Sequence, residues 1–176
     1  DSVNRILAIA AVHEVLTERR DEEVELDELL DRLRAMIVQG LGQEKQVESS
    51  LAHVSLGGGR ATALALVFSE LLQNALEHGG DSVRVELAQR DGEVVLAIAD
   101  DGSGIDADAT GTGLSIVRAL VRDELRGTLE LHSNARGRTT NRGVENVRTE
   151  STHSLSVMSF PKRSCVIWRC SSAATR

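Results

Sequence analysis

An α/β fold of two layers, a mixed sheet covered on one face by helices, is what this sequence predicts. Three observations lead there. Apolar residues recur at helical spacing in three long stretches, 2–19, 29–41 and 60–78. Two alternating segments, 83–87 and 94–99, flank Asp91-Gly92, a strong hairpin signal. Helices and hairpin strands interleave along the chain, which favours two packed layers over an all-helical or all-strand domain.

The first stretch carries Val3, Ile6, Leu7, Ala10, His13 and Leu16 on one helical face. Asp21–Glu23 with Val24 and Leu26 reads as a linker or short strand, and Asp27 as the cap of a second helix. That helix has Leu29, Leu30, Leu33, Met36, Ile37 and Leu41 as its apolar face and ends at Gly40 and Gly42. Val47–Val54 reads as a strand and Gly57–Gly59 as a loop. A long apolar helix follows at 60–78, with Ala63, Leu66, Val67, Glu70, Leu71, Asn74 and His78 near one stripe. Beyond the hairpin, Gly102 and Gly104 break the chain and 106–110 is a short polar loop. A helix at 113–124 and a strand at 128–132 come next.

Composition narrows the function. Aromatic residues make up 2% of the chain against 41% hydrophobic overall, so the core is aliphatic. The net charge of −7 argues against a general nucleic-acid binder, which needs a basic surface. It does not argue against one nucleotide, which backbone dipoles and a metal ion can hold. Cys165 and Cys170 suit neither a redox pair nor a four-ligand zinc site. No apolar run approaches the ~18 residues of a membrane span, so a cytoplasmic location without membrane contact is expected. A chain beginning at Asp1 inside a helical pattern is expected to be a piece of a longer protein. The charge is uneven: residues 134–176 hold eight Lys/Arg and two Asp/Glu, leaving 12 of the 20 basic and 25 of the 27 acidic residues before them. The only Pro, the only Trp and both Cys lie in this tail.

Three segments carry chemistry. In ELLQNALEH, residues 70–78, Glu70, Asn74 and His78 stand at i, i+4 and i+8 and share a helix face. They are either solvated polar residues or a Mg²⁺-nucleotide site, since Mg²⁺ takes hard oxygen ligands such as an amide oxygen and phosphates. In DDGSGI, residues 100–105, a strand ends in an acid followed by glycines that permit close approach to a ligand. A carboxylate there can accept from an adenine amino group, although many ordinary turns share the pattern. In GTGLSIV, residues 111–117, glycines open an apolar helix whose free N–H groups suit phosphate, or simply start a helix. No Walker lysine follows.

In this order and spacing the segments resemble the N, G1 and G2 boxes of the GHKL superfamily, which includes gyrase-type ATPases, MutL-type repair proteins and histidine kinases. The flanks, IVRALVRDELRGTLEL after the third box and VNRILAIAAVHEVL at the start, look like sensor histidine kinases of the second phosphoacceptor-helix type. The resemblance covers about residues 3–133. It implies a Bergerat-type sandwich at 21–133 that binds ATP with Mg²⁺, preceded at 1–20 by part of a dimerisation hairpin. It implies that Asn74 holds Mg²⁺, that Asp100 binds adenine, and that Gly102, Gly104 and Ile105 shape that pocket. Gly111, Thr112, Gly113 and Leu114 would meet the phosphates, His78 would contact phosphate, and Glu70 would be the catalytic acid of the first box. Its partners would be its own hairpin, a second copy in the full-length protein, and a response-regulator receiver domain.

Some features depart from the family. His13 is a candidate acceptor, but no Pro follows it and only one helix separates it from the ATP domain. The expectation is that it sits on the second hairpin helix and that the acceptor histidine lies outside this chain. His53, in an alternating strand, is expected at the surface, and neither it nor His132 or His153 is assigned a role. Thr139, after Gly137, weakly matches an adenine-contacting threonine. The tail either reaches the last strand late, at 154–161, or is unrelated sequence, such as a shifted reading frame. Rival functions are an anti-sigma-factor-type serine kinase of the same superfamily, opposed by the helix at 2–19, and a nucleotide-binding regulatory domain that has lost transfer.

Overall fold

The computed structural model describes residues 23–41, 45–90, 92–102, 112–133 and 164–171. The helix read at 2–19 with His13, the positions Gly42, Gly104, Ile105 and Gly111, the loop at 106–110, and Thr139, His153 and the strand read at 154–161 all lie outside the described residues.

Seven strands and three helices are described: β1 (Glu23–Glu25), α1 (Leu26–Leu41), β2 (Gln46–Leu51), β3 (Ser55–Gly57), α2 (Gly58–His78), β4 (Ser82–Arg90), β5 (Glu93–Asp100), α3 (Thr112–Asp123), β6 (Thr128–Ser133) and β7 (Ser164–Ser171). The main sheet has the order β2-β4-β5-β7-β6, and β1 and β3 form a separate antiparallel pair. β2 runs parallel to β4 and every other neighbour is antiparallel, so the sheet is mixed, as the sequence predicts. β4 and β5 pair out to Arg90↔Glu93, and Gly92 between them has φ 78°, which a side chain would resist.

The helices cover one face. Val83, Val85 and Leu87 of β4 and Val94, Leu96 and Ile98 of β5 alternate into a single core with Leu29, Leu30 and Leu33 of α1 and Val117 and Val121 of α3. α2 is the middle helix and packs against both α1 and α3. Its deepest ridge is Leu64, Phe68, Leu72 and Leu76, each no more than 1% exposed, at four-residue spacing. Truncations along such a ridge cost about 2–5 kcal/mol.

Several boundaries differ from the sequence reading. Asp27 is inside the first turn of α1, not its cap, because the chain enters the helix directly from β1 and the Leu26 N–H donates to the Val54 carbonyl at 2.8 Å. Met36 is 44% exposed while Val38 packs on the core, so the apolar face of α1 rotates in its second half. The strand read at 47–54 ends at Leu51, and β3 resumes at Ser55 to pair with β1. Gly57–Gly59 is not a loop: Gly57 closes β3 and α2 begins at Gly58. Within the basic tail, β7 inserts between β5 and β6, paired over eight residues with the first and six with the second.

His53 is exposed as expected, but in the link between β2 and β3 and not in a strand. Its Nδ1 lies 3.4 Å from Asp27 Oδ2 and its Nε2 3.4 Å from Glu25 Oε2, and Ser55 Oγ donates to Glu25. The hydrogen bond to Asp27, then the charge of Glu25, raises the His53 pKa above its usual 6.5. A raised pKa means the folded state holds the proton more tightly. The bridge therefore contributes stability that is complete below the unfolded value and is lost as pH rises through the folded one. His53→Gln should remove this component, so the melting temperatures of parent and variant should converge as pH is raised from about 6 to about 8. A constant difference across that range would show that the imidazolium bridge does not form.

Candidate functional site

α2 separates its polar and apolar residues by rotation. Phe68 and Leu72, two residues either side of Glu70, project to the opposite side of the helix and into the core. Glu70 and Asn74 are accordingly half-buried, and His78, the last helical residue, is 76% exposed at its side chain. The predicted row is thus present, graded from half-buried to solvent, with His78 Nε2 3.9 Å from Glu77 Oε2. Beside it, the buried Gln73 donates to Glu77 Oε1 at 2.8 Å, which orders the side chain next to Asn74.

Asp100 ends β5, in the interior of the sheet, with its backbone opposite Val83 of β4 and Ser164 of β7. Its side chain is buried, 7% exposed, and Oδ1 accepts the Gly102 N–H at 2.9 Å. That bond closes the turn in which the sequence predicts the second box. The next acid, Asp101, is exposed, and its Oδ1 accepts the Ser82 N–H at 3.0 Å, tying the turn to the start of β4.

The two segments meet through glycines. A methyl group built on Gly102 would lie 2.7–2.8 Å from the Gly79 and Gly80 backbone, and one on Gly79 would lie 2.9 Å from Asp100 Cβ. The chain leaving α2 therefore rests directly on the Asp100–Gly102 turn and on the side chains of Asp100 and Asp101. This places the end of the helix bearing Glu70, Asn74 and His78 beside the buried carboxylate. Asp101 was given no role within its motif, and Gly79 and Gly80, which adjoin the candidate site, were missed by motif reading. Their sequence signal was a Gly-Gly pair immediately after the helix, which by itself reads as a helix stop.

The third segment opens α3. Thr112, Gly113 and Leu114 form its first turn, Gly113 is buried, and no acidic residue stands in that turn. Val117, Val121 and Leu125 carry the helix onto the core. First-turn N–H groups have no partner within a helix and sit at its positive end, an arrangement suited to phosphate. A fixed carboxylate at a strand end, a half-buried amide on a facing helix and a glycine-opened helix start are together fit for an adenine nucleotide with a hard divalent cation.

Comparison with known proteins agrees with this geometry. Residues 59–145 match the family of histidine kinase-, DNA gyrase B- and HSP90-like ATPases. The sensor histidine kinase PdtaS of Mycolicibacterium smegmatis is 35% identical over 147 residues, which is 75% of this chain and 29% of that protein. PdtaS of Mycobacterium tuberculosis is 35% identical over 144 residues, 73% of this chain and 28% of that protein. The chain thus spans under a third of the length of these relatives. Among solved structures, the histidine kinase domain of the blue-light activated histidine kinase EL346 from Erythrobacter litoralis superimposes with a TM-score of 0.73. It is 20% identical, and the match covers 97% of this chain and 75% of that one. At that identity the likeness speaks for the fold.

Close approach at Gly102 leads to a measurable expectation. Gly102→Ala forces backbone to move against backbone, and overpacking of this kind costs about 1–3 kcal/mol. Urea denaturation should show the loss. A midpoint unchanged from the parent would mean that the two segments are not in direct contact.

Proposed function

We propose, for a chain that belongs to the histidine kinase-, DNA gyrase B- and HSP90-like ATPase family and carries the ATP-binding catalytic domain of a sensor histidine kinase, that it transfers the γ-phosphoryl group of Mg²⁺-ATP to a histidine. That histidine belongs to a helical dimerisation hairpin, of which residues 1–20 are part, and the phosphoryl group passes on to the receiver domain of a response regulator in the cytoplasm. The observation that carries this reading is the contact of Gly79–Gly80 with Asp100–Gly102. It brings the end of α2, the helix that carries the polar face, against the one buried carboxylate among the described residues, which supports the reading.

Each residue then has a task. Asp100 accepts from the adenine amino group, which distinguishes adenine from a base with a carbonyl at that position. Asn74 would hold Mg²⁺ through its amide oxygen, and the ion would supply neutralisation of charge on the phosphates. The N–H groups at the start of α3, with Gly111 before them, meet phosphate oxygens. Gly104 and Ile105 continue the wall of the adenine pocket, and His78 stands at the solvent side as a phosphate contact. A neutral imidazole is already a nucleophile near pH 7. Phosphorylating one ring nitrogen leaves a proton on the other, and we assign its acceptance to Glu70 on this face. Most of the rate comes from alignment and charge stabilisation, as in other phosphoryl transfers.

Asp100→Asn is the informative variant, because its amide oxygen can still accept from Gly102 and keep the turn. It should weaken ADP binding by about 1–3 kcal/mol, the range for a buried polar partner left unsatisfied. Calorimetry showing undiminished affinity would remove Asp100 from the adenine site. In a second assay, γ-labelled ATP and an added acceptor hairpin should give acid-labile label on the hairpin. Label that is acid-stable, on a serine, would point to the serine-kinase branch of the superfamily.

A further inference from the structure

Lys45 belongs to none of the motifs. It stands just before β2, on the edge of the sheet, 31 residues from the helix end it touches. Its Nζ donates to the carbonyls of Leu76 and, at 3.2 Å, of Gly79. The neighbouring Gln46 N–H donates to the Asp81 carbonyl at 3.2 Å. One dipeptide therefore holds the chain from the last turn of α2 to the start of β4.

Helices leave their last four carbonyls without internal partners, and a cation there also complements the dipole. In α2 the Ala75 carbonyl is taken by the Gly79 N–H at 2.9 Å. The only basic residue in the last turn, His78, is turned to solvent. The cation comes instead from outside the helix, through Lys45. Fixing the Gly79 carbonyl has a consequence further in, because the Gly79 backbone is the surface on which Asp100 Cβ and the Gly102 turn rest. Lys45, Gly79 and Asp100 form one contiguous column from the sheet edge to the buried carboxylate.

We propose that Lys45 is a positioning residue for nucleotide binding: by clamping the Leu76 and Gly79 carbonyls it holds the wall that sets the Asp100 carboxylate in place. This rests on the reading of Asp100 as the adenine acceptor. A lysine that merely stabilised the fold would lower the melting temperature and leave the affinity of the folded protein alone. A positioning lysine changes that affinity, and changes it through Asp100.

The test uses the whole 176-residue chain and its Lys45→Met, Lys45→Arg, Asp100→Asn and Lys45→Met/Asp100→Asn forms, with ADP and Mg²⁺ as the probe. Lys45→Met should raise the ADP dissociation constant about tenfold, the lower end of what losing a charge-assisted hydrogen bond is worth. Lys45→Arg, which keeps a charged donor, should recover most of it. In the Asp100→Asn background the Lys45→Met loss should nearly vanish, since both act on one contact. Without nucleotide, amide exchange at Gly79, Gly80 and Gly102 should quicken in Lys45→Met while residues 64–72 of α2 stay protected. Unchanged exchange, unchanged affinity, or fully additive losses would each overturn the positioning role. Should the Met form not fold, Lys45→Gln, whose amide falls short of Gly79, takes its place in every arm. Failure of the parent itself to bind ADP would overturn the nucleotide reading and the positioning role with it, and the exchange arm would then show whether a purely structural clamp remains.

Discussion

Close contact between Gly79–Gly80 and Asp100–Gly102 is the constraint on which the arrangement depends. Two segments that lie about twenty residues apart in sequence must touch closely, Gly102 against the Gly79–Gly80 backbone and Gly79 and Gly80 against the Asp100 and Asp101 side chains, and an added side chain at any of the three glycines would collide. The contact brings the end of a helix with a polar face against the strand end that carries the buried carboxylate. It also explains why the buried carboxylate can be tolerated. Asp100 is desolvated, and its Oδ1 is satisfied by the Gly102 N–H that the same turn delivers.

The hydrophobic core sets the direction in which that site faces. α2 is flanked by α1 and α3 and lies on the sheet, so most of its circumference is apolar. Only a narrow strip is left for polar groups, and Glu70, Asn74 and His78 occupy it. Because the strip lies opposite the Phe68 and Leu72 side of the helix, a polar residue there costs little. The same residue at 68 or 72 would be left unsatisfied in the core. The placement of site residues on α2 is thus a consequence of how the helix must be buried.

Much of this was legible in the sequence, and the exceptions have physical reasons. The fold class, the row at 70, 74 and 78, the hairpin at 83–99 and the acid at the end of β5 all follow from local periodicity and turn chemistry. The boundaries at Gly57–Gly59 were misread because glycine is a poor helix former by propensity. Here the β1–β3 pair and the core beneath α2 impose the helix from its first residue. Met36 was misplaced because Ile37, Val38 and Leu41 cover the core in the second half of α1 and leave it exposed. Lys45 gave no local signal, since its two acceptors are more than thirty residues away. β7 was not found because its neighbours in the sheet, β5 and β6, are distant in sequence, so no hairpin marks it.

An acidic domain expected to bind a polyanion raises an electrostatic question, and the helix starts bear on it. α1 opens with Asp27 and Glu28, so its positive end is already complemented by the chain's own carboxylates. α3 opens with Thr112 and Gly113 and carries no acid in its first turn. Arg122, in the last turn at the far end of the helix, pairs with Asp123 at 2.7 Å. Among the described residues no acid stands at the positive end of α3, whereas α1 supplies its own. Net charge acts over distances that salt screens, while a helix start acts within a turn of the group it contacts. The excess of acid before residue 134 thus slows approach of an anion without deciding where it rests. The local pattern, acid at one helix start and glycine at the other, makes the start of α3 better suited to phosphate than that of α1.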